Sequence, residues 1–150
     1  DLPVLHYRAL RHGVQAPRYW EVGDADREYK WNNYLGRFHW RHVDLMDVLA
    51  GYQHRGRASL DQTAVLLGFP GKLGMSGDKV WEKWLAGGIR EIHYCETDVL
   101  NTWLIYLRFE FMRGNLDEAR LRKEYELVRS TIRSMDVPHL NEFLQAWHED

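Results

Sequence analysis

The longest amphipathic run of the chain, about residues 89 to 113, most constrains its fold. Its apolar residues recur at helical spacing, and Gly114 and Asn115 follow as a typical helix end. The pattern predicts a long helix with one wide apolar face. The sequence YCETD, residues 94 to 98, lies in the first half of this helix. The apolar face comprises Ile89, Ile92, Val99, Trp103, Tyr106, Leu107 and Phe109.

Shorter helices are predicted before and after the long one. Ser59 and Gln62 form a capping-box pattern that opens one of them, and Gly68 ends it. Ser76 is a second predicted helix cap. Residues 14 to 34 lack a clean period, which predicts a long surface excursion. The predicted helices cover about residues 2–12, 59–68, 76–86, 116–135 and 139–148.

The segment HVDLMDVLAGY, residues 42 to 52, leaves its secondary structure open. Its apolar residues at positions 43, 45, 46, 48, 49 and 52 fit a short buried strand or a helix turn equally well. Periodicity does not decide between the two.

Composition favours one soluble domain in a reducing compartment. With 150 residues, 45% of them hydrophobic, the chain is long enough for one packed core. Its net charge of -2 indicates no general affinity for polyanions. It has no apolar run of about 18 residues that would span a membrane, and its first residues do not resemble a signal peptide. Cys95 is the only cysteine, which excludes an internal disulfide. A cytoplasmic location is therefore expected.

Tyr94 and Asp98 are the residues of the long helix that most suggest chemistry. Positions i and i+4 share a helix face, with their Cβ atoms about 6 Å apart. A carboxylate on a rigid helix suits a hard cation such as Mg²⁺, and a phenol one turn away can orient an attacking water. The competing interpretation is a chance pair in a purely helical interaction protein, with no metal involved.

Several segments, in order, resemble a known family. YCETDVLNTWLIYLRF is similar to the third motif of the tyrosine-type DEDD 3′-5′ exonucleases, and DLPVLHYRAL is similar to the residues that begin at the aspartate of their second motif. HVDLMDVLAGY, SLDQTAVLLGFPGK and VWEKW resemble the predicted 3′-5′ exonuclease family related to the proofreading domain of family B DNA polymerases. The resemblance covers most of residues 1 to 113.

This resemblance implies a fold, an activity and three site residues. The fold would be α/β, ribonuclease H-like (DnaQ-like exonuclease). The activity would be hydrolysis of single-stranded DNA or RNA from its 3′ end by two Mg²⁺ or Mn²⁺ ions. Asp1 and Asp98 match metal-binding aspartates of the family, and Tyr94 matches its water-orienting tyrosine.

The chain departs from the family at the first motif. The family places an aspartate-x-glutamate triplet on an early strand, and no such triplet with strand-like flanks occurs here. We therefore expect residues 1–150 to be a mostly helical C-terminal portion of an exonuclease domain, lacking its N-terminal strands and inactive alone. The alternative is a non-catalytic exonuclease-fold module that binds nucleic acid or protein. The oligomeric state stays open.

Basic residues before the long helix are candidates for phosphate contacts. They fall in loops and in the helix that precedes YCETD, where they could touch a single strand. A solvated charged face is the competing interpretation. The candidates are Arg57, Lys72, Lys79 and Lys83, with Arg55 nearby.

Other residue pairs are better explained by structure than by chemistry. Asp44 and Asp47 are expected to be helix caps rather than metal ligands. His39 and His42 have a spacing that is poor for zinc on a helix.

Three residues with reactive or aromatic side chains are expected in the core. Cys95 is expected to be a small buried side chain rather than a nucleophile. Trp81 and Trp84 could stack on bases, but their spacing is more typical of a core position.

Overall fold

The structure, a computed structural model, describes residues 2–73, 80–86 and 94–148. The chain forms two compact units, Asp1–Val48 and Leu49–Asp150. The α-helices are α1 (Leu2–His12), α2 (Leu45–Leu49), α3 (Leu60–Leu66), α4 (Val80–Leu85), α5 (Tyr94–Met112), α6 (Glu118–Met135) and α7 (Pro138–Ala146). Two short 3-10 helices span Arg27–Lys30 and His54–Gly56.

The helix predictions are confirmed where the structure describes the chain. The segment HVDLMDVLAGY contains α2, so the helix alternative is correct and the strand alternative is wrong. Ser76 and residues 89 to 93 lie outside the described residues, so the cap at Ser76 and the start of the predicted long helix remain predictions. No strand occurs in the described part of the chain, which is mostly helical as expected and shows no ribonuclease H-like sheet.

The first unit is organised around Tyr29. This ring is 1% exposed, and the guanidinium carbon of Arg41 lies 3.9 Å from its centroid. Tyr34 packs beside it at 6.3 Å between centroids and stacks on Tyr19 at 5.5 Å. Aromatic and cation-π contacts therefore replace the aliphatic packing of a larger core in this unit.

In the second unit, α3 and α6 pack against the long helix α5, and α7 packs against α6. Buried aliphatic side chains come from each of these helices, because each presents one apolar stripe to its neighbours. Phe69, Tyr125 and Trp147 meet edge to face with centroids 5.5 to 5.9 Å apart and close one end of this core. The buried apolar residues include Ala64, Leu104, Leu107, Leu121, Ile132, Leu140 and Phe143.

Local sequence fixes where α3 begins. The hydroxyl of Ser59 accepts a hydrogen bond from the backbone N–H of Gln62, and the Gln62 side chain accepts one from the Ser59 N–H. This predicted capping box satisfies two of the otherwise unpaired N–H groups at the helix start. It also places Asp61 in the first turn of the helix.

The apolar face of α5 agrees with the prediction only in part, since Leu107 and Phe109 are buried as expected. Val99 and Trp103 were expected to be buried, but they are 63% and 43% exposed. Thr97 and Asn101 are buried instead. Val99 and Trp103 line an open apolar groove of about 490 Å³ between α5 and α6. The expectation of a buried Cys95 is also wrong, because this thiol is exposed at the same groove.

The tryptophan pair on α4 is exposed, so its predicted place in the core is wrong. Trp81 and Trp84 are 64% and 48% exposed, and their rings stack on each other with centroids 5.3 Å apart.

Within the described residues, no helix has the length and apolar character needed to cross a bilayer.

Candidate active site

Asp98 lies in the second turn of α5 and is half-buried. Tyr94 is the first residue of this helix, so the helical register predicted for the YCETD motif is confirmed. The carboxylate is therefore held by a helix of 19 residues that is anchored in the core of the second unit.

A buried asparagine joins α5 to the loop that follows α3. The Oδ1 atom of Asn101 accepts a hydrogen bond from the N–H of Gly71 at 3.2 Å, and its Nδ2 donates to the Gly71 carbonyl at 2.8 Å. Nδ2 also donates to the carbonyl of Thr97 at 3.0 Å. Because Asn101 is 1% exposed, water does not compete for these bonds, and the loop is fixed to the helix one turn from Asp98.

The same loop also contacts the start of α3. The Oδ1 atom of Asp61 accepts a hydrogen bond from the backbone N–H of Lys72 at 2.7 Å. Gly71 has a φ of +66°, and a Cβ there would lie 2.6 Å from that same oxygen. Only glycine combines this backbone conformation with such a close approach. The loop thus holds Lys72 between the two helices that carry Asp61 and Asp98.

The electrostatic setting of Asp98 is unusual for an aspartate. Burial raises the pKa of its carboxyl above the ordinary value, because desolvation disfavours the charged form. The charge of Lys72 lowers this pKa, and the charge of Asp61 raises it. Desolvation is the largest of the three effects, so the positive charge of Lys72 only partly compensates it.

The chain matches one protein-family model over residues 1–147, that of a predicted 3′-5′ exonuclease related to the exonuclease domain of PolB. The chain belongs to this family. No curated protein and no solved structure matches the sequence significantly. In this exonuclease family member, Asp98 and Lys72 are candidate site residues that the structure brings together.

The structure leaves other predicted site residues of this exonuclease family member untested. Asp1 and Lys79 lie outside the described residues, as do the side chains of Tyr94 and Lys83. Arg57 lies just after the 3-10 helix His54–Gly56 and is exposed. Lys72, by contrast, is described, and its charge acts on the carboxyl of Asp98.

Asp61 is a site residue that the sequence analysis missed. An aspartate in the first turn of a capped helix is typical of ordinary stabilisation of the helix dipole. Its charge raises the pKa of Asp98 only because α3 packs against α5. A local sequence signal for this long-range pairing does not exist.

The alternative ligand candidates have structural roles. Oδ1 of Asp44 accepts a hydrogen bond from the Asp47 N–H, so the predicted cap at Asp44 is confirmed. Asp47 instead pairs with Arg37 at 3.3 Å, so the cap prediction there is wrong. Nδ1 of His39 accepts a hydrogen bond from the Asn33 N–H.

The side chains around Asp98 fit a divalent cation in part. Carboxylate oxygens are the ligands that Mg²⁺ and Mn²⁺ prefer. A neighbouring cation also stabilises the charged form of a carboxylate that burial has desolvated. Asp98 and Asp61 supply two such groups. Within residues 2–73, 80–86 and 94–148, however, no cluster of three or more His, Cys, Asp or Glu side chains could hold a metal ion. A complete metal site would need further ligands beyond these two carboxylates.

The raised pKa of Asp98 leads to a prediction about how the stability of the folded protein depends on pH. A carboxyl whose pKa is higher in the folded state stabilises the fold below the unfolded-state pKa, and this contribution is lost as the pH rises through the folded-state pKa. Asp98→Asn carries no charge at any pH, so in EDTA it should melt at a higher temperature than the parent at pH 7. The two proteins should converge near pH 3. Thermal melts across this range test the prediction, and a less stable variant at pH 7 would contradict it.

Proposed function

We propose that this protein is a 3′-5′ exonuclease that hydrolyses nucleic-acid phosphodiester bonds with the help of divalent ions. The family match over residues 1–147 carries the proposal. The setting of Asp98 supports it, because a desolvated carboxylate on a rigid helix beside a lysine is a suitable place for a cation and a phosphate.

In this proposal each site residue has a separate task. Asp98 and Asp1 hold the metal ions, together with carboxylates of a first acidic motif. Two Mg²⁺ or Mn²⁺ ions, when bound, would stabilise charge on the attacking and leaving oxygens. Tyr94 orients the attacking water. The exposed Lys72, whose charge acts on Asp98, steadies a phosphate of the single strand.

The role of Tyr94 can be tested separately from metal binding. Tyr94→Phe removes only the hydroxyl, so it should lower turnover roughly 10- to 100-fold while leaving the affinity for Mn²⁺ unchanged. Single-turnover rates across a Mn²⁺ titration measure both quantities. A parallel loss of turnover and Mn²⁺ affinity would point to a packing role for the ring.

The alternative is an exonuclease-fold module that binds nucleic acid or protein without cleaving it. Residues 1–150 contain no aspartate-x-glutamate triplet with strand-like flanks, and a protein that lacks this motif altogether would fit this alternative. The triplet Asp26-Arg27-Glu28 is no substitute, since it begins a 3-10 helix and Oδ1 of Asp26 accepts a hydrogen bond from the Glu28 N–H.

One assay separates the two functions. Single-stranded DNA and RNA labelled at the 5′ end are incubated with Mn²⁺ and with a form of the protein that includes a first acidic motif. An exonuclease produces a ladder of shortened labelled strands, and blocking the 3′ end with phosphate or a dideoxynucleotide stops it. Strand binding without shortening would support the non-catalytic alternative.

A further inference from the structure

A loop in the first unit, residues 27–42, interleaves aromatic and basic side chains. Five of its residues are aromatic, four are Arg or Lys, and only one is acidic. The chain as a whole has a net charge of -2, so this loop departs locally from the average. The aromatic residues are Tyr29, Trp31, Tyr34, Phe38 and Trp40, and the basic ones are Arg27, Lys30, Arg37 and Arg41.

Side-chain hydrogen bonds hold this aromatic-basic loop in one shape. Oδ1 of Asn32 accepts hydrogen bonds from the backbone N–H groups of Trp40 and Arg41, at 3.0 and 3.1 Å. The buried Asn33 has its Nδ2 donating to the Tyr29 carbonyl at 3.0 Å, and its backbone N–H donates to Nδ1 of His39. The two ends of the loop are thus joined without a strand, and its side chains need little further ordering to bind a ligand.

The loop exposes large aromatic rings. Trp31 is 77% exposed, Phe38 is 65% exposed and Trp40 is 48% exposed. Exposed apolar groups of this size, grouped within ten residues of one another, are typical of binding surfaces rather than of ordinary surface. Their rigid rings offer flat faces at a low entropic cost.

Positive charges lie beside these rings. Nζ of Lys30 lies 5.3 Å from the centroid of the Trp31 ring. Arg37 pairs with Asp47 at 3.3 Å and remains half-exposed, and Arg41 pairs with Glu28 at 3.6 Å. A ligand suited to this surface has flat rings that stack and negative groups between them. Single-stranded nucleic acid has both at every nucleotide.

We propose that the aromatic-basic loop, residues 27–42, is a stacking platform for single-stranded nucleic acid, with Trp31 contacting a base and Lys30 a neighbouring phosphate. This inference deepens the proposed function, because a single strand is the substrate class of that activity. It is independent of the metal site, since stacking and phosphate pairing need no divalent ion.

Binding is measured in EDTA, where no metal-dependent hydrolysis occurs. The full chain is titrated into a fluorescently labelled oligothymidylate of about 12 nucleotides, and anisotropy is followed across a series of salt concentrations. Trp31→Ala should weaken binding roughly tenfold or more without changing the salt slope. Lys30→Gln should weaken binding and reduce the slope of log K against log salt by about 0.7.

Matched control variants separate base stacking on the loop from non-specific binding to exposed rings and charges elsewhere. Tyr7→Ala removes a similarly exposed ring outside the loop, and Lys123→Gln removes an exposed charge on α6, so neither should alter binding. An abasic strand of the same length should bind the parent and Trp31→Ala equally. Circular dichroism confirms that each variant is folded.

The outcomes distinguish this inference from the proposed function. Equal binding by Trp31→Ala and the parent, an equal loss in Tyr7→Ala, or equally tight binding of polyglutamate would each overturn the platform. An active exonuclease that is insensitive to Trp31→Ala would retain the proposed function alone. Loop-dependent binding by the full chain, with no hydrolysis in Mn²⁺ by a form that includes a first acidic motif, would retain the platform alone.

Discussion

Asp98→Ala is expected to lower the exonuclease rate at least about 1,000-fold in a form of the protein that carries a first acidic motif. In the proposal Asp98 is a metal ligand, and the nearby Asp61 is a poor replacement because its Oδ1 already accepts a hydrogen bond from the Lys72 N–H. The loss should appear in the single-turnover rate in Mn²⁺. The melting temperature in EDTA should not fall, because the variant removes a charge that burial disfavours.

The matched control is a second aspartate that is distant in sequence from the site. Asp136→Asn changes an exposed carboxylate at the end of α6, where the left-handed backbone (φ 46°) tolerates asparagine. This variant should retain full activity. An Asp98→Ala protein with more than a tenth of the parent rate would contradict the metal-binding role of Asp98.

Asn101→Ala is expected to destabilise the second unit by about 2–4 kcal/mol, because it leaves the buried N–H and carbonyl of Gly71 without their partner. Urea denaturation followed by tryptophan fluorescence measures this loss. Hydrogen exchange should also show faster exchange of the Gly71 N–H, and of the Lys72 N–H that bonds to Asp61. The activity should fall with the loss of order in this loop.

Asn141→Ala provides the comparison for this effect. Asn141 donates a hydrogen bond to Asp136 on the protein surface, so its loss should change the free energy of unfolding by less than about 0.5 kcal/mol. If Asn101→Ala and Asn141→Ala cost the same, the link between the loop and α5 contributes little to stability.

Much of the secondary structure was predictable because local interactions determine it. The capping box at Ser59 and Gln62 and the cap at Asp44 each act within a few residues of their own position. The helical register of the YCETD motif follows from the same kind of information.

The burial pattern of α5 was less predictable, because distant partners decide it. Apolar periodicity favours a buried Val99 and Trp103. In the structure both side chains are exposed and Asn101 is buried instead, because its amide pairs with the N–H and the carbonyl of Gly71, 30 residues away. Asp61 was missed for the same reason, since its proximity to Asp98 depends on the packing of α3 against α5.

The pair of hydrogen bonds from the Asn101 side chain to Gly71 has a consequence for how this family could diversify. Both hydrogen bonds are made to the main chain of residue 71. They therefore do not depend on which side chains the neighbouring residues carry. Lys72 is exposed and is held by its backbone N–H. Evolution can therefore exchange the side chain at position 72, and with it the charge offered beside Asp98, while the loop keeps its path.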